Sequence, residues 1–136
     1  MRKIIKNIIL IAIFLFAVSG CKDFPEFEGT YYGTATVLQQ TYDYPEVSNI
    51  TVTITRDFKR IEVLYESNVF NNFTLRGEID EEGNFYLSGS GTSGGIRYNT
   101  VDEGKIYYAS GDYISQMTVT ENDEISLIMK LELQKF

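Results

Sequence analysis

The sequence predicts an all-β chain, an eight-stranded antiparallel up-and-down barrel, preceded by a helical targeting segment. Three observations predict it. From Gly29 onward apolar residues recur with period two, and nowhere with the 3.6-residue period of an amphipathic helix. Short reversals rich in Asp, Glu, Asn and Gly separate the runs, so successive strands should be antiparallel neighbours. The last run is the longest and clearest, a natural partner for the first, and a ring closed by that pair leaves no exposed edge. An open β-sandwich is the alternative.

The first strand spans 30–39. In 49–56, Ile50, Val52 and Ile54 alternate with Thr51, Thr53 and Thr55, one face apolar and one polar. A reversal at 57–59 leads to Ile61, Val63 and Tyr65, which alternate with Arg60, Glu62 and Glu66. Phe73, Leu75 and Ile79 form a fourth strand, and the turn Asp80-Glu81-Glu82-Gly83-Asn84 leads into a fifth with Phe85 and Leu87. Gly89 to Gly95 reads as a flexible loop over one barrel mouth, with 105–110 as the sixth strand. Met117 and Val119 mark the seventh. After Glu121-Asn122-Asp123, an inward set of Ile125, Leu127, Met129, Leu131 and Leu133 makes the eighth.

Composition excludes several chemistries. The 136 residues contain no histidine, no tryptophan and one cysteine. Nucleophilic catalysis of the Ser-His-Asp or Cys-His design, a His-rich metal centre and an intrachain disulfide are therefore ruled out. With 12 Lys plus Arg against 19 Asp plus Glu, the chain carries −7, which argues against phosphate-backbone binding and hence against a nucleic-acid partner.

The N-terminus carries an address. Arg2, Lys3 and Lys6 precede an unbroken run of 11 apolar residues over 8–18, and Ser19, Gly20 and Cys21 follow. A membrane span needs about 20 apolar residues, so this run fits the core of a secretory signal peptide. Val18-Ser19-Gly20-Cys21 resembles the lipobox of bacterial lipoproteins. The resemblance implies cleavage between Gly20 and Cys21 and lipidation of Cys21 with acyl chains of the palmitate type. It divides the chain into a signal peptide (1–20), a lipidated Cys with a short tether (21–28) and a barrel domain (29–136). Lys22, where the usual retention rule has Asp, implies the outer membrane, with the periplasmic face and the cell surface both open. Three of the basic residues and none of the acids lie before Cys21, so the mature part carries nine basic groups against 19 acidic ones, a net −10. Such a charge repels anionic lipid, which leaves attachment to the acyl chains.

A second resemblance starts at Gly29-Thr30-Tyr31-Tyr32-Gly33. It is similar to the opening of calycin-type barrels, the superfamily of lipocalins, fatty-acid-binding proteins and avidins, and most of all to short lipocalin-like lipoproteins that open Gly-x-Tyr-x-Gly. The likeness implies a ring closing the barrel floor at Tyr31 and a small-ligand interior. Tyr31 stands where lipocalins have Trp, and no helix follows the last strand.

Enzyme-like motifs fail on context. Gly89-Ser90-Gly91-Thr92-Ser93-Gly94 fits G-x-G-x-x-G, but no helix follows it to hold a pyrophosphate. Gly91-Thr92-Ser93-Gly94-Gly95 fits the G-x-S-x-G elbow without a histidine to take the serine proton. Asp80, Glu81, Glu82 and Asn84 offer oxygen ligands without the spacing of an EF-hand, and Gly83 at a turn accounts for the segment. No spacing selects a carboxylate pair for glycoside hydrolysis. The expectation is a non-enzyme with no cofactor and no metal.

Aromatics are the remaining signal, ten Tyr and seven Phe after Cys21. Adjacent strand residues face opposite ways, so Tyr32 and Tyr107 point out while Tyr31, Phe73, Phe85 and Tyr108 point in and are the candidate ligand-lining set. Bulk packing of a Trp-free core is the competing account of the same rings. Two functions follow: a barrel that binds a small apolar or sugar-like ligand, its rims at 41–47 and 89–95, or a filled barrel that contacts another envelope protein.

Overall fold

A computed structural model describes residues 26–57 and 60–136. The signal segment, Gly20, Cys21 and the tether up to residue 25 lie outside the described residues, as do residues 58 and 59 of the second reversal. Eight strands follow in chain order: β1 (Gly29–Gln40), β2 (Val47–Asp57), β3 (Arg60–Ser67), β4 (Phe73–Ile79), β5 (Asn84–Ser93), β6 (Ile96–Tyr107), β7 (Asp112–Glu121) and β8 (Glu124–Lys135). Each pairs antiparallel with the next, and β8 returns to β1, closing the barrel.

Alternation sets which side chains fill it. In β3, Ile61, Val63 and Tyr65 are buried while Arg60, Glu62, Leu64 and Glu66 are exposed. The inward rows of all eight strands merge into one core that includes Tyr31, Val52, Val63, Leu87, Ile106, Tyr113 and Leu131. Each such aliphatic side chain contributes about 1.5–3 kcal/mol of burial. Outward rows carry Arg76, Glu78, Glu103, Lys130 and Glu132, the reverse of a barrel whose wall faces lipid. Among the described residues, the ring closes on itself through eight seams around a core that runs from Phe27 to Leu133, a self-contained barrel. Gly33 permits the tight β1–β8 seam, because a Cβ there would lie 2.1 Å from the Glu132 carbonyl oxygen.

Three expectations are corrected. The loop expected at Gly89 to Gly95 is instead a hairpin: β5 runs to Ser93, β6 starts at Ile96, and Gly94 and Gly95 make the turn at φ of 60° and 80°. Its small residues lack apolar alternation because its tip is exposed on both faces. The sixth strand, expected over 105–110, instead runs from Ile96 to Tyr107, and residues 108–111 turn into β7. In β8, Ile125 does not point inward. A bulge sets Ile125 opposite Thr120 but Leu127 opposite Val119, so Ser126 is the extra residue, and Ile125 is 46% exposed. The Ser126 hydroxyl donates to the Val119 carbonyl at 3.2 Å, which satisfies it in its buried position.

The two ends differ. Phe27 is buried beneath the strands beside Tyr108, with ring centroids 6.2 Å apart and the Arg56 guanidinium 5.5 Å from its ring. The Tyr31 hydroxyl donates to the Phe27 carbonyl at 2.7 Å, pinning the entering chain across this end. Asp80 organises the neighbouring turn, accepting from the Glu82 and Asn84 amides at 2.9 Å each. Those bonds, with the Asn84 side-chain amide foremost, hold its carboxyl below the usual range. At the opposite end the 41–46 and 68–72 segments and the β5–β6 and β7–β8 turns surround an open mouth.

Candidate functional site

The mouth contains a cup of about 370 Å³. Its floor is Phe73, Met117 and Met129, and its walls are Tyr42, Tyr44, Phe70, Tyr98, Val119 and Leu127. Polar atoms come from Asn71, Asn72, Thr100, Ser126 and Glu121. A predominantly apolar concavity with a few convergent polar groups is the form small-ligand sites take. Another depression, about 430 Å³ beside the 80–84 turn, is rimmed by Glu78, Glu81 and Glu103.

The rim is fastened. The Gln40 side chain spans the 41–44 bend, accepting from the Tyr44 amide at 2.7 Å and donating to the Tyr44 carbonyl at 3.1 Å. The Thr41 amide donates to the Ser126 carbonyl at 3.0 Å, tying the bend to β8. Tyr44 meets Phe70 edge-on at 5.2 Å and Tyr42 at 6.1 Å, an unbroken aromatic wall. The Tyr42 hydroxyl donates to the Glu121 carboxylate, 2.8 and 2.7 Å from its two oxygens. That bond, more than the slight burial, pushes the Tyr42 hydroxyl up to about 12.

Beneath the floor lies a polar cluster. Asp102 on β6 is fully buried, and its Oδ2 accepts from the Tyr65 hydroxyl at 2.5 Å and from the Tyr113 hydroxyl. Its Oδ1 and the neighbouring Ser115 Oγ have no hydrogen-bond partner among the described residues. Burial raises the carboxyl above its ordinary range, outweighing the two tyrosine hydrogen bonds that oppose it. Both tyrosines are pushed well up, chiefly by burial, so they act here as donors. The Tyr65 ring stacks on Phe73 at 4.7 Å and 10°, joining this cluster to the cup floor.

Of the four rings expected to line a ligand, Phe73 alone reaches the cup. Tyr31 and Phe85 pack against Tyr113 in the filled interior, at 5.7 and 4.9 Å. Tyr108 sits at the closed end and donates to the Asp80 carbonyl at 2.9 Å. The expected rim at 41–47 is present through Tyr42 and Tyr44. Tyr32 and Tyr107 point outward, each 45% exposed, but β7 and β8 lie between them, and Tyr32 stacks instead on Phe136 at 6.0 Å.

Sequence reasoning missed Phe70, Tyr98, Glu121 and Asp102. The signal for Asp102 was present: carried back from inward Ile106, the period of β6 puts Asp102, Thr100 and Tyr98 on the inner face. Reading 89–95 as a loop hid that strand. Together the elements define a closed, mostly filled eight-stranded barrel with a cup at one end. No family model, curated protein or solved structure matches the chain.

Proposed function

We propose that this is a lipid-anchored envelope protein of the outer membrane that holds one small, mainly apolar ligand in the mouth cup. It acts as a non-catalytic lipocalin-like barrel that needs no cofactor. The observation that carries the reading is the pre-fastened aromatic cup at the end opposite to the one where the chain enters at Phe27. A tether from Cys21 to Phe27 would span at most about 20 Å, which keeps the closed end at the membrane and turns the mouth away from it.

Binding is tested by native mass spectrometry of residues 22–136 purified without detergent. A retained small molecule that is lost from a Phe70→Ala, Phe73→Ala variant supports the reading, whereas ligand-free protein that also fails to take up any added amphiphile sinks it. Anchoring is tested on the mature N-terminal peptide from cells. An acylated Cys21 is expected, and an uncleaved chain with a free thiol refutes it.

A second reading, an interaction lipoprotein that contacts another envelope protein, draws on the exposed Tyr32–Phe136 stack on the outer wall. Cross-linking in cells that captures one envelope partner through Tyr32 would favour it.

A further inference from the structure

Resting on the cup as a ligand site, the geometry points to its ligand class: an organic cation, an apolar body carrying a quaternary or protonated amine, with the cationic head against Glu121 and the aromatic wall. Three observations carry this. Glu121 is the single charged group among the described residues lining the cup, and none of these is Lys or Arg. An anionic amphiphile such as a fatty acid would find no counter-charge there and would meet a carboxylate in a partly apolar site, where like-charge repulsion is weakly screened.

Second, the walls supply rings in the arrangement a cation uses. Tyr42, Tyr44 and Phe70 all line the cup and lie at 61° and 65° to one another in succession, so their planes differ in orientation along one wall. Ring faces carry negative quadrupole potential and attract ammonium groups. A neutral sugar would instead call for a converging set of donors and acceptors, and the polar groups here are few beside the Phe73, Met117 and Met129 floor.

Third, Glu121 is held at the rim. Tyr42 bonds both carboxylate oxygens, and the β7–β8 turn that follows is fixed by Asn122, whose amide donates to the Arg97 carbonyl at 2.9 Å. The nearby guanidinium of Arg97 is paired to Asp123 at 2.7 Å, which neutralises it. The mature charge of −10 adds a long-range field of the same sign, which concentrates cations near the domain.

The test uses residues 22–136 and three probes with one eight-carbon tail: octyltrimethylammonium, octyl glucoside and octyl sulfate, titrated below micelle formation and read by calorimetry. The cation should bind about tenfold more tightly than the neutral probe, and the anion most weakly. Glu121→Gln should abolish the cation's advantage, bringing the ratio of cation to neutral-probe affinity within that variant to about one. Tyr42→Phe keeps the ring and frees the carboxylate, so the cation preference should persist. If Glu121 merely braces the rim, Tyr42→Phe will instead reproduce Glu121→Gln and the inference falls. Equal binding of cation and neutral probe, or tightest binding of the anion, overturns the cation assignment and leaves the cup as a site. No binding of any probe overturns the cup as well.

Discussion

The lower and upper halves of the barrel interior are built from the same inward rows and end up differently. In the lower half Tyr31, Phe85 and Tyr113 reach across from three strands and meet, so the space is filled. At the mouth the inward positions above the Phe73, Met117 and Met129 floor include the short side chains of Thr100, Val119 and Ser126, the last placed there by a bulge. Rings return higher up, from the rim segments through Tyr42, Tyr44 and Phe70 and from the end of β6 through Tyr98. A cavity in a small barrel thus needs no wider ring: a layer of small inward residues beneath fastened loops suffices. The lower half should govern stability and the upper half binding.

The largest effect should come from truncating the filled half. Tyr113→Ala removes a fully buried ring that touches Tyr31 and Phe85 and takes one of its two donors from Asp102, with an expected loss of about 4 kcal/mol in urea unfolding. Phe70→Ala at the mouth should cost about 1 kcal/mol yet weaken ligand uptake at least about tenfold, because its ring is only partly buried. Comparable losses of stability at the two positions would break the division between the halves.

The polar cluster offers a sharper test, because its charge depends on pH. Asp102 has a raised pKa in the folded chain, so it binds a proton more tightly there than when unfolded. Its contribution is most favourable below the ordinary carboxyl range, about pH 4, and is lost as pH rises through the raised value. Asp102→Asn cannot ionise, can still accept from the two tyrosines, and offers an N–H on the side of the orphaned Ser115 hydroxyl. Its unfolding free energy should therefore vary less with pH than the wild type's between pH 4 and 8. Asp102→Ala, which removes the shared acceptor and leaves the Tyr65 and Tyr113 hydroxyls only each other at 3.2 Å, should be destabilised by about 2 kcal/mol. Parallel pH profiles for the wild type and the Asn variant would show that burial does not dominate this carboxyl.

The same division explains what the sequence revealed. Where an apolar residue occupies every second position, as in 49–56, 60–66 and 127–133, the strand and its inward face are legible from periodicity alone. Closure was legible from the long last strand. The mouth was not, because its residues break the pattern: Gly89 to Ser93 have little side chain to alternate, and Thr100 and Ser126 are polar yet inward. A one-residue bulge reversed Ile125, and nothing in the composition of 124–128 marks it. Tyr31, Phe73 and Phe85 face inward as alternation predicts, but which level of the barrel each occupies depends on strand stagger, a property of pairing across the ring.

The smallest expected effect is at the rim itself. Arg97 and Asp123 form an ion pair at 2.7 Å, with both side chains more than half exposed, and the backbone there is already joined through Asn122. Exposed pairs of this kind contribute about 0–1 kcal/mol, so Arg97→Ala should change unfolding free energy by less than about 0.5 kcal/mol. It does, however, leave Asp123 unpaired near Glu121 and makes the mouth more negative. Cation affinity should then rise by at most about twofold at low salt, and the gain should vanish near physiological ionic strength, where the screening length is about 8 Å. A stability loss above 1 kcal/mol would mean that this pair braces the β7–β8 turn, and the mouth could no longer be treated as energetically separate from the barrel below it.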